Sequence, residues 1–83
     1  MSTQKLRVKS LSGQAKEAIL QYIEEMDLKT DNKLPREEAL AEMLGVSRIT
    51  IRQALNDLAA EGIIFRRQGR GTFVNVDSVP VWN

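Results

Sequence analysis

The chain has 83 residues, with 12 Lys and Arg against 11 Asp and Glu, and contains neither cysteine nor histidine. That length makes one small domain. The composition excludes a disulfide framework, a thiolate metal site and histidine-based acid–base chemistry. No apolar run approaches the ~18 residues a membrane span needs, and the opening MSTQKLRVKS lacks the apolar core of a signal peptide, so a cytoplasmic location is expected.

Residues 1–10 are polar and basic without periodicity and are expected to form a flexible arm. Leu11, Ala15, Ala18, Ile19, Tyr22, Ile23 and Met26 then recur at helical spacing, which predicts a first helix of about four turns. Ser10 and Ser12 are both placed to cap it. A polar loop follows over 27–33, in which Asn32 suits a positive φ. Pro35 suits the first turn of a second helix. Glu37 and Glu38 then lie in the positive end of its dipole, and Ala39, Leu40, Met43 and Leu44 form its apolar side. Gly45 is a helix stop, Val46 turns back to the core, and Ser47 is a good cap for a third helix.

In the third helix Ile51, Leu55 and Leu58, with Ala54 beside them, make one apolar stripe. With Ile51 at zero, Arg52, Asn56, Ile49 and Gln53 fall at about 100°, 140°, 160° and 200° around the axis, away from the core. Gly62 closes the helix. Residues 63–67 and 72–76 read as two strands around the turn Gln68-Gly69-Arg70-Gly71, with Phe65 and Phe73 expected to cover the end of the helical core. Residues 77–83, which include Pro80, read as a linker or tail. The expected domain therefore spans 11–76 and is mainly α with a small β wing: three helices and a two-stranded antiparallel hairpin.

Charge is placed unevenly along this frame. Residues 1–46 hold seven Lys and Arg against eight acids, whereas residues 47–83 hold five cations against three acids, and all five are arginine. Arginine's planar fork engages phosphate oxygens and guanine edges in two-pronged fashion, which lysine cannot do. Arg66 and Arg67 are adjacent on a strand and point to opposite faces, one toward phosphate and the other expected to pair with an acid. Glu37, Glu38 and Glu42 are a possible metal cluster on paper. The helix dipole accounts for the first two, and without histidine no metal site is expected. No catalytic constellation is present. Tyr22 is expected in the core, and Trp82 in a linker or packing contact.

The segments LP (34–35), LAEMLGVSR (40–48), IRQAL (51–55), EGI (61–63) and RRQGRGTFV (66–74), in that order and spacing, resemble the winged helix-turn-helix domain of the GntR family of bacterial transcription regulators. The helix-two and helix-three residues are more similar to the subgroup typified by HutC than to that typified by FadR. The resemblance implies DNA contacts from Ser47, Arg48, Thr50 and Arg52 on a recognition helix and from Gln68, Gly69 and Arg70 at a wing tip. The family's Ser-Glu-Arg after LP stands here as Arg36-Glu37-Glu38. Glu38 replaces an arginine that often contacts DNA, and Arg36 replaces the capping serine while offering a phosphate contact of its own.

The outward positions of Ile49 and Gln53 add two residues to this expected interface. Ile49 is a candidate to pack on a thymine methyl group. The resemblance further implies a palindromic double-stranded operator, a homodimeric full-length repressor with a monomeric isolated domain, and a small effector bound by a domain outside these residues. The chain is then an excised DNA-binding domain or a short stand-alone member, the tail reading as the start of a linker. No enzyme activity and no cofactor are expected. Two alternatives are a winged-helix protein-interaction module and the DNA-binding part of an aminotransferase-fused regulator.

Overall fold

The computed structural model describes residues 10–78. The proposed arm and tail, with Pro80 and Trp82, lie almost wholly outside them. Helix α1 spans Leu11–Glu24, α2 Glu37–Leu44 and α3 Arg48–Ala60, followed by strands β1 Ile64–Arg67 and β2 Gly71–Val74 and a short 3-10 turn, Val76–Ser78. The predicted fold class is the observed one: three helices and an antiparallel hairpin.

Local sequence explains most boundaries. Of the two serines available, Ser10 caps α1, its hydroxyl accepting from the Gly13 N–H at 3.0 Å. Ser47 caps α3 as expected, accepting from the Thr50 N–H at 3.1 Å. After α3 the N–H groups of Gly62 and Ile63 return to the carbonyls of Ala59 and Leu58. That closure needs Gly62 at φ 79°, a left-handed conformation that glycine adopts without cost.

α3 is the central element. Its stripe of Ile51, Ala54, Leu55 and Leu58 is buried against Ala15, Ile19 and Ile23 of α1 on one side and Leu40 and Ala41 of α2 on the other. Leu34, Ile64 and Val74 close the core from the wing side. In so thin a core, truncating one fully buried residue such as Leu55 to alanine costs about 2–5 kcal/mol.

Four expectations need correction. α2 begins at Glu37, not Pro35, because Arg36 is still extended (φ −69°, ψ 161°) and serves as N-cap without a side-chain hydrogen bond. The buried face of α2 is Leu40 with Ala41; Ala39 and Met43 are exposed, as is Leu11 on α1. Two turns of helix offer too few positions for periodicity to choose between adjacent faces. Asn32 does not take a positive φ. Its backbone carbonyl accepts from the Val74 N–H and its side-chain amide donates to the Val74 carbonyl, both at 2.8 Å.

That last contact belongs to a feature the sequence reading missed. Lys33 bridges Phe73, and the Leu34 N–H donates to the Thr72 carbonyl at 2.8 Å, so β2 is hydrogen-bonded along both edges. A residue before proline is biased toward extended backbone, which suits Leu34 to this pairing, and Pro35, having no N–H, ends it. The hairpin register also overturns the expectation that Phe65 and Phe73 cover the end of the helical core. Ile64 faces Val74 and Phe65 faces Phe73. Ile64 and Val74 are the pair turned to the core, so the two phenylalanines stack on the opposite face, ring centroids 5.7 Å apart.

Candidate nucleic-acid interface

The helix-turn-helix pair and the wing meet at a cleft of about 550 Å³ formed by the start of α2, the start of α3 and the hairpin. Lys33, Arg36, Arg48, Arg66, Arg67 and Arg70 line it, against the acids Glu37 and Glu38. The lining is thus strongly cationic although the chain as a whole carries only +1. Such a groove attracts a phosphate backbone.

Of the sequence-predicted site residues, Arg36, Arg48, Gln68, Gly69 and Arg70 line this cleft, whereas Ser47, Ile49, Thr50, Arg52 and Gln53 lie on α3 or at its cap outside the lining. On α3, Arg48, Ile49, Arg52 and Gln53 are exposed, Ile49 at 68%. Ser47 and Thr50 are tied to one another, their hydroxyls 2.9 Å apart, so each serves the α3 cap in addition to any contact outward. Arg36 is exposed at the foot of α2, and Gln68, Gly69 and Arg70 are exposed at the tip of the hairpin.

The arginines differ in what holds them. Arg52 donates through Nη2 to Glu37 Oε1 at 3.0 Å and through Nε to Glu37 Oε2 at 3.4 Å. Its hydrogen bond is the main cause that holds the Glu37 carboxyl below its ordinary range. Partial burial opposes the shift, and the charges of Arg52, Arg66 and Arg48 add to it. The same hydrogen bond raises the Arg52 guanidinium. Arg48 stands 3.7 Å from Glu38, a looser pair between exposed side chains. On the wing, Arg66 donates to the Asn56 side-chain oxygen on α3 at 2.8 Å, and Arg67 lies over the Phe65 ring, 5.2 Å from its centroid. The two do point to opposite faces. However, neither pairs with an acid among the described residues, which corrects the expectation that one would.

Two residues of this site went unrecognised in the sequence. Lys33 reaches the cleft because the extra bridge lays it beside β2. Its side chain runs so close to Gly71 that a Cβ there would stand 2.8 Å from Lys33 Cε. For Glu37 the sequence suggests a complement to the helix dipole but not an ion pair. Its pairing with a residue 15 positions away depends on the angle between α2 and α3, and no local pattern reports that angle. Among the described residues there is no group of His, Cys, Asp and Glu that could hold a metal ion, and no helix long and apolar enough to cross a membrane.

Comparison with known proteins gives consistent matches. The profile of the bacterial regulatory proteins of the gntR family matches residues 11–74. The chain is 45% identical over 62 residues to the HTH-type transcriptional repressor NagR of Bacillus subtilis, covering 75% of this chain and 26% of that protein. It is 44% identical over 62 residues to the arabinose metabolism transcriptional repressor of Geobacillus stearothermophilus, covering 75% and 17% respectively. The chain thus spans about a quarter or less of these relatives. Among solved structures, AraR(DBD) in complex with operator ORR3 superposes with TM-score 0.70 at 40% identity over 81% of each chain. AraR(DBD) with operator ORX1 does so with TM-score 0.67 at 38% identity, again over 81% of each.

Proposed function

The chain belongs to the gntR family of bacterial regulatory proteins, and from that premise we propose that it is the sequence-reading DNA-binding module of a bacterial transcription repressor. The observation that carries this reading is the arginine-lined cleft between the start of α3 and the wing, in a fold similar to domains solved with operator DNA. The start of α3 enters the major groove, where Arg48, Thr50, Arg52 and Gln53 reach base edges and Ile49 reaches a thymine methyl. Ser47 and Arg36 sit against the backbone at the helix ends. Gln68, Gly69 and Arg70 bring the wing onto the adjacent backbone or minor groove.

The likeness to the NagR repressor supports the HutC-like subgroup. In a full-length protein of this kind a second domain binds a small effector and dimerises, so that two modules occupy a palindrome in the cytoplasm. The isolated module is monomeric, binds each half-site weakly, and gains tightness only when both halves are filled. It has no enzymatic role and needs no cofactor.

Selection of bound sites from random duplex DNA tests the reading. A palindromic consensus is expected, and repeating the selection with Arg52→Ala should erase the preference at one position per half-site. Recovery of no consensus from the wild type would overturn it.

A further inference from the structure

Arginine carries five N–H donors in a fixed plane. Glu37 occupies the side-on pair, Nε–H and one hydrogen of Nη2. This leaves the end-on pair, one hydrogen from each terminal nitrogen, directed away from the carboxylate. An end-on pair is what the O6 and N7 acceptors of guanine accept in two-pronged fashion. We infer that Glu37 is a positioning residue for base reading: it holds the Arg52 guanidinium so that its end-on edge is presented to guanine. The inference rests on the DNA-binding reading given above.

Two physical consequences follow. A free arginine on a helix surface samples many rotamers and must be ordered when it binds. Arg52 is ordered before DNA arrives, because two of its nitrogens are already engaged. The carboxylate also cancels most of the guanidinium's charge locally. Phosphates, which attract unpaired cations regardless of sequence, therefore compete poorly for Arg52, whereas neutral guanine acceptors lose little. The surroundings keep Glu37 in the charged form this needs, since Arg52, Arg66 and Arg48 all favour its ionised state. Arg48 has no comparable clamp: its ion pair with Glu38 is loose, 3.7 Å long and to a side chain 71% exposed.

The experiment compares the wild-type chain with Glu37→Gln, which keeps the size and removes the charge, and with Arg52→Ala and the double variant. In the DNA-free protein the Arg52 Nε–H should give a distinct, slowly exchanging NMR signal that Glu37→Gln abolishes. On DNA, Glu37→Gln should lower the preference for G·C at the Arg52 position by at least about fivefold, out of the roughly 5- to 150-fold such a contact supplies. It should at the same time bind arbitrary duplex about two- to threefold more tightly, because one repelling charge near the phosphates is gone. In the Arg52→Ala background the substitution should change affinity but not preference. If Glu37→Gln lowers affinity for all sequences alike and leaves the preference intact, Glu37 is only a strut between α2 and α3 and the inference is overturned. An Arg52 Nε–H signal unchanged in Glu37→Gln overturns it as well. A wild type that selects no site overturns the DNA reading, and this inference with it, even if the NMR signal shows the pair.

Discussion

The start of α3 and the wing are both rich in arginine, but they are electrostatically opposite. On α3, Arg52 is clamped by Glu37 and Arg48 stands near Glu38, so each recognition-helix cation has an acid from α2 close by. On the wing, Arg66 is held by an amide and Arg67 by an aromatic ring. Arg70 makes no ion pair among the described residues. A neutralised arginine contributes little to phosphate attraction and still offers its free donors to a base; an unneutralised one adds its full charge to that attraction. The division predicts that base preference resides in the helix and salt-dependent grip in the wing.

The largest test of that division is Arg52→Ala. Loss of one two-pronged base contact should cost about 1–3 kcal/mol of discrimination at a single position. Removing the guanidinium uncovers the Glu37 carboxylate, so the salt slope is read in the Arg52→Ala, Glu37→Gln double variant, where the local net charge is unchanged and the slope should barely move. Binding titrations at several salt concentrations, on the selected site and on its single-base variants, measure both quantities. A drop in slope of a full unit with unchanged base preference would reverse the assignment and make Arg52 a phosphate contact.

The wing can be disabled as a unit through Gly71. Its φ of 128° is one that residues with a Cβ rarely adopt, and alanine there should cost about 1–3 kcal/mol of stability from backbone strain. The contact with Lys33 Cε adds little, since the end of a lysine can swing aside, but swinging aside removes Lys33 from the cleft. Gly71→Ala should therefore lower the melting temperature and weaken binding to all sequences, while the order of preferred bases survives. Loss of base preference together with affinity would mean that the wing positions the helix as well as gripping the backbone.

On both sides of this comparison the sequence was legible where the chemistry is local and illegible where it joins distant segments. Caps and stops are local chemistry: Ser47 before α3 and Gly45 after α2 stand where their residue types place them. The outward face of α3 was legible because thirteen residues supply enough turns for periodicity to fix a face. What failed was short or nonlocal. Eight residues of α2 did not fix its face. The pairing of residues 32–34 with β2 joins segments about 40 positions apart, and the Glu37–Arg52 clamp depends on how two helices cross. The site's arginines were thus readable from sequence, while Lys33 and the partners that decide what each arginine does were not.

Removing a single wing cation is a smaller perturbation. If Arg70 contacts phosphate, Arg70→Ala should weaken binding to every sequence and reduce the salt slope by about 1. If its side chain enters the minor groove instead, the loss should follow the A·T content of the flanking steps, because a narrow A·T-rich groove concentrates negative potential. Either outcome sharpens the wing's role. Unchanged affinity and slope would remove Arg70 from the interface.

The smallest expected effect falls on the helix side, where one residue carries no charge. Ile49 is 68% exposed in the first turn of α3, on the face opposite the buried stripe, so the fold gives no reason for a large β-branched apolar side chain there. A lone exposed isoleucine ordinarily needs no explanation. This one lies in the part of a recognition helix that meets base edges, and the apolar feature of the major groove is the thymine methyl. Exchanging thymine for uracil removes that methyl and nothing else. At one half-site position the exchange should cost the wild type about 1 kcal/mol, the low end of a base-contact effect, and should cost Ile49→Ala almost nothing. Because neither change alters charge, the salt slope should be the same in all four combinations, which separates this contact from every arginine in the site. If uracil at each half-site thymine in turn leaves wild-type affinity unchanged, Ile49 is exposed without reading DNA, and base preference on this helix rests on its polar side chains alone.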